Sequence, residues 1–151
     1  MEQTKVNKLT PYLCARNAAA AIEFYKKAFG AEQGWRMDSP EGKVMHADLR
    51  IGAAEFMISD EFPEYGALSP ETAGGVPLNL HLIVADADAV FHQAVAAGAI
   101  VERPLENKFY GHRNGGIRDP FGFRWTIGTV LEELTPEQMD ERVGIKREVT
   151  S

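Results

Sequence analysis

The sequence predicts an α+β protein made of two βαβββ repeats. Each repeat is a curved four-stranded sheet with one helix on its outer face, and together they form a ligand cup. Three observations carry this. Residues 9–30, LTPYLCARNAAAAIEFYKKAFG, are echoed by residues 78–98, LNLHLIVADADAVFHQAVAAG, at an offset of 69 that sets Thr10 over Asn79. Three strand-like segments follow the helix in each copy. Glycine and proline mark the turns between them: the chain holds 14 glycines in 151 residues, above the average of about 7%.

Each element has a local reason. A strand is expected at 8–15 and again at 78–85. Asn17 and Asp86 follow, each able to take an unpaired amide at a helix start. Helices are expected over 18–29 and 87–97, with Ile22, Tyr25 and Phe29, then Val90, Phe91 and Ala94, at helical spacing. Gly30 and Gly98 stand where a helix C-terminus favours positive φ. Strands are then expected at 33–38, 43–51 and 54–60, and at 100–106, 113–119 and 123–130. The repeats span 8–60 and 78–130. Residues 61–77 link them, and 131–151 form a helical tail. Thr135-Pro136-Glu137-Gln138 reads as a capping box opening a helix over 136–143, with a frayed end from Gly144. The whole, 1–151, is expected to be a single domain.

Composition narrows the function. With 16 Lys+Arg against 22 Asp+Glu the formal charge is −6, which argues against nucleic acid and anionic membranes as partners. No apolar stretch approaches the ~20 residues a transmembrane helix needs. Cys14 is the one cysteine, so no internal disulfide forms, and a cytoplasmic location is expected.

Strand alternation assigns the faces. Met45, Ala47, Leu49 and Ile51 are expected to face the helix, which sends His46, Asp48 and Arg50 to the other side. Phe56/Ile58 and Trp125/Ile127 form the buried set of each last strand. Met57 and Thr126 then face inward with Glu55 and Arg124. The expected cup lining is Tyr12, His46, Asp48, Arg50, Glu55, Met57, Asn79, His81, Arg124 and Thr126, with Tyr110, His112 and Arg113 at the rim. Trp35 either lines the cup or plugs the sheet. Cys14 has no neighbouring base and reads as a small lining residue; no catalytic residue is assigned. Asp119-Pro120-Phe121-Gly122 reads as a structural turn.

A βαβββ unit written twice, with AIEFYKKAFGAE early and DPFGFRWTIGT late, resembles the vicinal oxygen chelate superfamily, which includes glyoxalase I, extradiol dioxygenases and bleomycin-resistance proteins. The FYGHRNGGIRDPFGFRW stretch is similar to its PhnB-like branch. The resemblance implies a cup for a small organic molecule and a homodimer. Metal enzymes of that superfamily hold one divalent ion, usually on His or Gln from the first strand and Glu from the last strand of each repeat. Thr10, Met57, Asn79 and Thr126 fall at those four places here, so the expectation is a binding protein with no metal and no cofactor. The alternative is a glyoxalase-like lyase, isomerase or dioxygenase. It would use one divalent ion on a rebuilt site of His46, His81 and Asp48 or Glu55, or a metal-free pair such as His46 with Glu55. A third possibility is an interaction module whose cup its own side chains fill.

Overall fold

The computed structural model describes residues 8–144. Two compact units are present: residues up to Val76 with Pro120–Gly122, and Pro77–Asp119 with the chain from Phe123 onward. Each holds one βαβββ repeat. The first runs β1 (Tyr12–Ala15), α1 (Ala18–Phe29), β2 (Glu32–Asp38), β3 (Val44–Ile51) and β4 (Ala54–Asp60); a 3₁₀ turn at Pro63–Tyr65 and the one-turn helix α2 (Pro70–Ala73) follow. The second runs β5 (Asn79–Ile83), α3 (Ala87–Ala97), β6 (Ile100–Asn107), β7 (His112–Arg118) and β8 (Arg124–Val130), then α4 (Pro136–Val143). The sheets are open, with orders β1-β4-β3-β2 and β5-β8-β7-β6.

In each sheet the first strand lies parallel to the last, and the remaining pairs are antiparallel. Tyr12 stands opposite Met57, and His81 opposite Thr126. The 69-residue offset of the sequence is therefore a register equivalence. Tyr12 corresponds to His81, and Met57 to Thr126.

Both helices start as their sequences require. Asn17 accepts from the Ala20 amide at 3.1 Å, and Asp86 from the Ala89 amide at 3.1 Å. A second acceptor comes from the end of the last strand. Ala18 N–H donates to Asp60 Oδ1 at 2.7 Å, and Ala87 N–H donates to Thr129 Oγ1 at 2.7 Å. Both first-turn amides thus find acceptors, which helix starts otherwise lack. At the other end Gly30 takes φ 68°, a conformation that a side chain disfavours. α1 buries Ala18, Ala21, Ile22, Phe24, Tyr25 and Ala28, while α3 buries only Ala87, Phe91 and Ala94. Thr135 and Gln138 form the expected capping box at α4.

The structure corrects some expectations. The first strand of each repeat is shorter than 8–15 and 78–85; Pro11 carries no amide for a ladder and serves only as acceptor, from Met57 N–H. The other strand ends lie within one residue of the expected ones. Met45 does not face the helix. A register shift opposite Met37 and Asp38 inserts one extra residue into β3, so Val44 is buried and Met45 is 42% exposed. Ala47 and Leu49 are buried as expected. The frayed end beyond Gly144 lies outside the described residues.

Candidate functional site

In each unit one face of the sheet packs on its helix and the other is open. On the open face of repeat 1, β3 contributes His46, Asp48 and Arg50, while Tyr12 and Cys14 come from β1 and Glu55, Met57 and Ser59 from β4. The Tyr12 ring reaches across β4 to β3. Its hydroxyl lies 2.8 Å from His46 Nδ1, and His46 Nε2 lies 2.7 Å from Asp48 Oδ1. An ionised carboxylate only accepts, so Nε2–H donates to Asp48; in the neutral imidazole Nδ1 is then the acceptor for the phenol, whose other contact, Met45 O, is longer at 3.5 Å. Trp35, on β2, leans over His46 with ring centroids 5.2 Å apart and is itself 61% exposed. It neither plugs the sheet nor enters the helix-side core.

Next to this chain lies a hollow of about 320 Å³ lined by Thr10, Gly34, Asp48, Arg50, Glu55 and Met57, among others. Its volume sits at the lower end of ordinary ligand sites, about 300–1,000 Å³. Its charges are matched: Lys8 pairs with Glu55, and Arg50 with Glu32. Glu55 therefore does not partner His46. Burial, then the charges of Glu61 and Asp60, pushes the Cys14 thiol up to about 11. Cys14 is thus a poor nucleophile near neutral pH. The Tyr12 phenol is raised, chiefly by burial with Asp48 and Cys14 adding to it, while a hydrogen bond from Ser59 opposes them.

The open face of repeat 2 is built differently. Arg103, on β6, lies across Gly116, where a Cβ would meet the guanidinium at 2.6 Å. It donates to Thr126 Oγ1 at 2.7 Å, and Thr126 donates to Asn79 Oδ1 at 2.9 Å. Arg124 donates to Glu102 at 2.8 Å. Asn114 Nδ2 donates to the Tyr110 hydroxyl at 2.8 Å. Among the described residues, Asn114 Oδ1 and His112 Nδ1 are buried with no hydrogen-bond partner. His81 is held below the usual imidazole range by burial, and further by His112 and Arg103. A wider hollow of about 680 Å³ is lined by Phe109, Tyr110, His112, Val130, Leu134 and Met139, with Glu132 and Glu133.

Arg113 is a correction. It stands on the helix side of β7, where its guanidinium grips Asp88 through two bonds of 2.7 and 3.0 Å. Alternation puts it opposite in sense to His112 and Asn114. The other expected residues lie on the open faces of their own repeats: Tyr12, His46, Asp48, Arg50, Glu55 and Met57 in the first, and Asn79, His81, Tyr110, His112, Arg124 and Thr126 in the second. Arg103 went unforeseen, because two register irregularities in β6 break the alternation counted from Ile100. The signal available was the glycine opposite it, since a long basic side chain fills the space a missing Cβ leaves. Among the described residues, no group of three or more His, Cys, Asp or Glu side chains gathers to hold a metal ion. Nor is any helix among them long and apolar enough to cross a membrane. Asp119 is structural as expected: its buried carboxylate accepts from Phe123 N–H at 3.0 Å and Trp125 Nε1 at 2.9 Å.

Residues 5–127 match the family model described as Glyoxalase/Bleomycin resistance protein/Dioxygenase superfamily. An uncharacterised protein of Mycobacterium tuberculosis (strain H37Rv) is 40% identical over 134 residues, covering 87% of this chain and 79% of that one. The crystal structure of TioX from Micromonospora superposes with a TM-score of 0.67 at 27% identity, over 83% of this chain and all of that one (100%). The PhnB protein from Bacillus cereus shares the fold, with a TM-score of 0.64 at 23% identity over 82% and 99% of the two chains.

Proposed function

The chain belongs to the Glyoxalase/Bleomycin resistance protein/Dioxygenase superfamily, and on that premise we propose that it binds a small organic molecule on the open faces of its repeats without a divalent ion. The observation that carries this is the donor set at the four places that hold the superfamily's metal. Met57 offers a thioether and Thr10 a neutral hydroxyl. Thr126 is already engaged on both sides, by Arg103 and Asn79. Neutral hydroxyl, thioether and amide do not fit an ion that takes imidazole and carboxylate. The hollow beside Asp48 supports the binding reading by its size and its mixed lining.

Elemental analysis and native mass spectrometry of the protein, before and after adding Zn²⁺, Ni²⁺, Mn²⁺ or Fe²⁺, test the metal half. No stoichiometric ion is expected, and thermal unfolding is expected to stay where it is. An ion that bound the folded chain at 100-fold its Kd would add about 2.7 kcal/mol. One bound equivalent, lost on His46→Ala or His81→Ala, would overturn the reading. The cup is proposed to be completed in a homodimer. Trp35, Met37 and Met45 support this, being large apolar side chains left exposed along β2 and β3, and clustered exposed apolar surface marks interaction sites. A purely monomeric mass by sedimentation at micromolar concentration would contradict it.

A further inference from the structure

We propose that Tyr12, His46 and Asp48 form a metal-free proton-transfer site, in which the Tyr12 oxygen takes a proton from a carbon beside a carbonyl group. The inference rests on the hollow beside Asp48 being a binding site, and extends it from binding to chemistry.

Two bonds of 2.8 and 2.7 Å join the three side chains in line. Asp48 fixes the imidazole with its proton on Nε2, which aims the Nδ1 lone pair at the phenol. This is the logic by which a carboxylate and a histidine activate a hydroxyl. The step balances within the site. The substrate C–H bond breaks and an O–H bond forms at Tyr12. The phenol's former O–H bond breaks in the same event and an N–H bond forms at His46 Nδ1. Asp48 then faces an imidazolium. The reverse sequence returns the proton to the same or a neighbouring carbon, so the net reaction is exchange, epimerisation or isomerisation, and no oxidant is needed. A raised phenol keeps its proton at rest and gives it up only as the substrate's proton arrives.

The substrate class follows from the strength of the base. Tyr12 stands opposite Met57 and two residues past Thr10, both of which line the hollow. Lys8 and Arg50 line it too, each paired with a carboxylate, Glu55 and Glu32. Only a C–H acidified by a carbonyl is within reach of such a base. The frame does not demand the chain of bonds. Counting from Met57 and Thr126, the second repeat has His81, Asn114 and Gly116 at the equivalent positions. There Asn114 bonds Tyr110 instead.

Two measurements test this on the full-length protein. An aryl sulfonyl fluoride reacts with an activated phenol: an S–O bond forms, fluoride leaves, and the phenol proton passes to the neighbouring base. Peptide mapping is expected to find Tyr12 labelled ahead of Tyr65, which is 86% exposed. His46→Gln and Asp48→Asn are expected to slow Tyr12 labelling at least tenfold, each with a native circular dichroism spectrum. Labelling that follows exposure, or ignores His46, would overturn the activated phenol. In D₂O, proton NMR of pyruvate and of hydroxyacetone is expected to show protein-dependent loss of the C–H signals next to the carbonyl. That loss should be abolished by Tyr12→Phe and indifferent to EDTA. No exchange on either probe, alongside His46-dependent labelling, would overturn the catalytic role and leave the binding reading standing; saturation-transfer NMR with the same probes reports binding separately.

Discussion

In repeat 1 the carboxylate of Asp60, at the end of β4, takes the first amide of α1; in repeat 2 the hydroxyl of Thr129, at the end of β8, takes that of α3. The strand registers match as well, with Tyr12 on Met57 and His81 on Thr126. Away from the helices the likeness ends. The open face of repeat 1 holds an unbroken line of phenol, imidazole and carboxylate beside a hollow. That of repeat 2 has an arginine lying over a glycine and two buried polar atoms without partners among the described residues. The backbone unit is thus reused for its packing and capping, while the polar side chains diverge on the side that does not touch the helix.

The largest expected difference is in the cores. Ile22 and Phe91 are equivalent at the 69-residue offset, and both are buried. Phe91→Ala is expected to cost about 3–5 kcal/mol in urea unfolding, because α3 has so few other buried side chains to close the gap. A cost no larger than a surface substitution would break the comparison. Next comes a compensating pair. The larger Phe91 faces Gly115, where a Cβ would stand 2.7 Å from its ring; the corresponding place in β3 is Ala47, fully buried. Gly115→Ala is expected to destabilise by about 1–3 kcal/mol. Adding Phe91→Ile, which restores the pair found in repeat 1, should recover the part due to the ring; the backbone of Arg103 and Leu105, 3.0 and 3.1 Å from the same Cβ, keeps the rest. Additive losses in the double-mutant cycle would show that the two positions are not coupled.

The caps differ less. Removing either acceptor is expected to cost about 0.5–2 kcal/mol. Each makes a second bond: Asp60 accepts from Val44 N–H at 2.7 Å, and Thr129 donates to Val84 O at 3.0 Å. Asp60→Ala should exceed Thr129→Ala, because its second bond is the shorter and leaves a backbone amide without its acceptor. Equal losses would mean that the two second bonds are worth the same. Cys14 corresponds to Ile83 on the other face. With its thiol pushed up to about 11, alkylation by iodoacetamide at pH 8 is expected to run about a hundredfold slower than in the urea-unfolded chain. Equal rates would contradict the shift.

The smallest effect belongs to His81. Its imidazole is depressed in the folded chain, so the unfolded chain binds more protons as the pH falls below the usual histidine value. Any stability it contributes is fully present above that value and is lost as the pH drops through the lowered one. His81→Leu is expected to flatten that part of the pH–stability curve, and an unchanged slope would refute it.

The helices, their caps and the order of elements were legible because each depends on neighbours in sequence: Asn17 with Ala20, Asp86 with Ala89, and the Thr135–Gln138 box. The open-face residues of β3, β4 and β8 were legible by alternation for the same reason. Bulges were not, since they depend on which strand lies alongside. One extra residue in β3 exchanged Val44 for Met45, and two irregularities in β6 hid Arg103. The partnership of Tyr12 with His46 was also out of reach. Both lie on one face of the sheet, but the bond crosses β4, a strand that comes later in the chain. Arg113 was out of reach because its glycine-rich segment carries no apolar alternation to mark the faces; only pairing with Asp88 on α3 shows that it stands on the helix side.

The claim that repeat 1 carries an aligned proton path and repeat 2 does not is tested most directly by ¹⁵N NMR of the imidazoles. His46 is expected as a single tautomer, protonated at Nε2 and accepting at Nδ1, which loses this preference in Tyr12→Phe with Asp48→Asn, while His81 is untouched by those changes. A His46 protonated at Nδ1, or one indifferent to both substitutions, would contradict it.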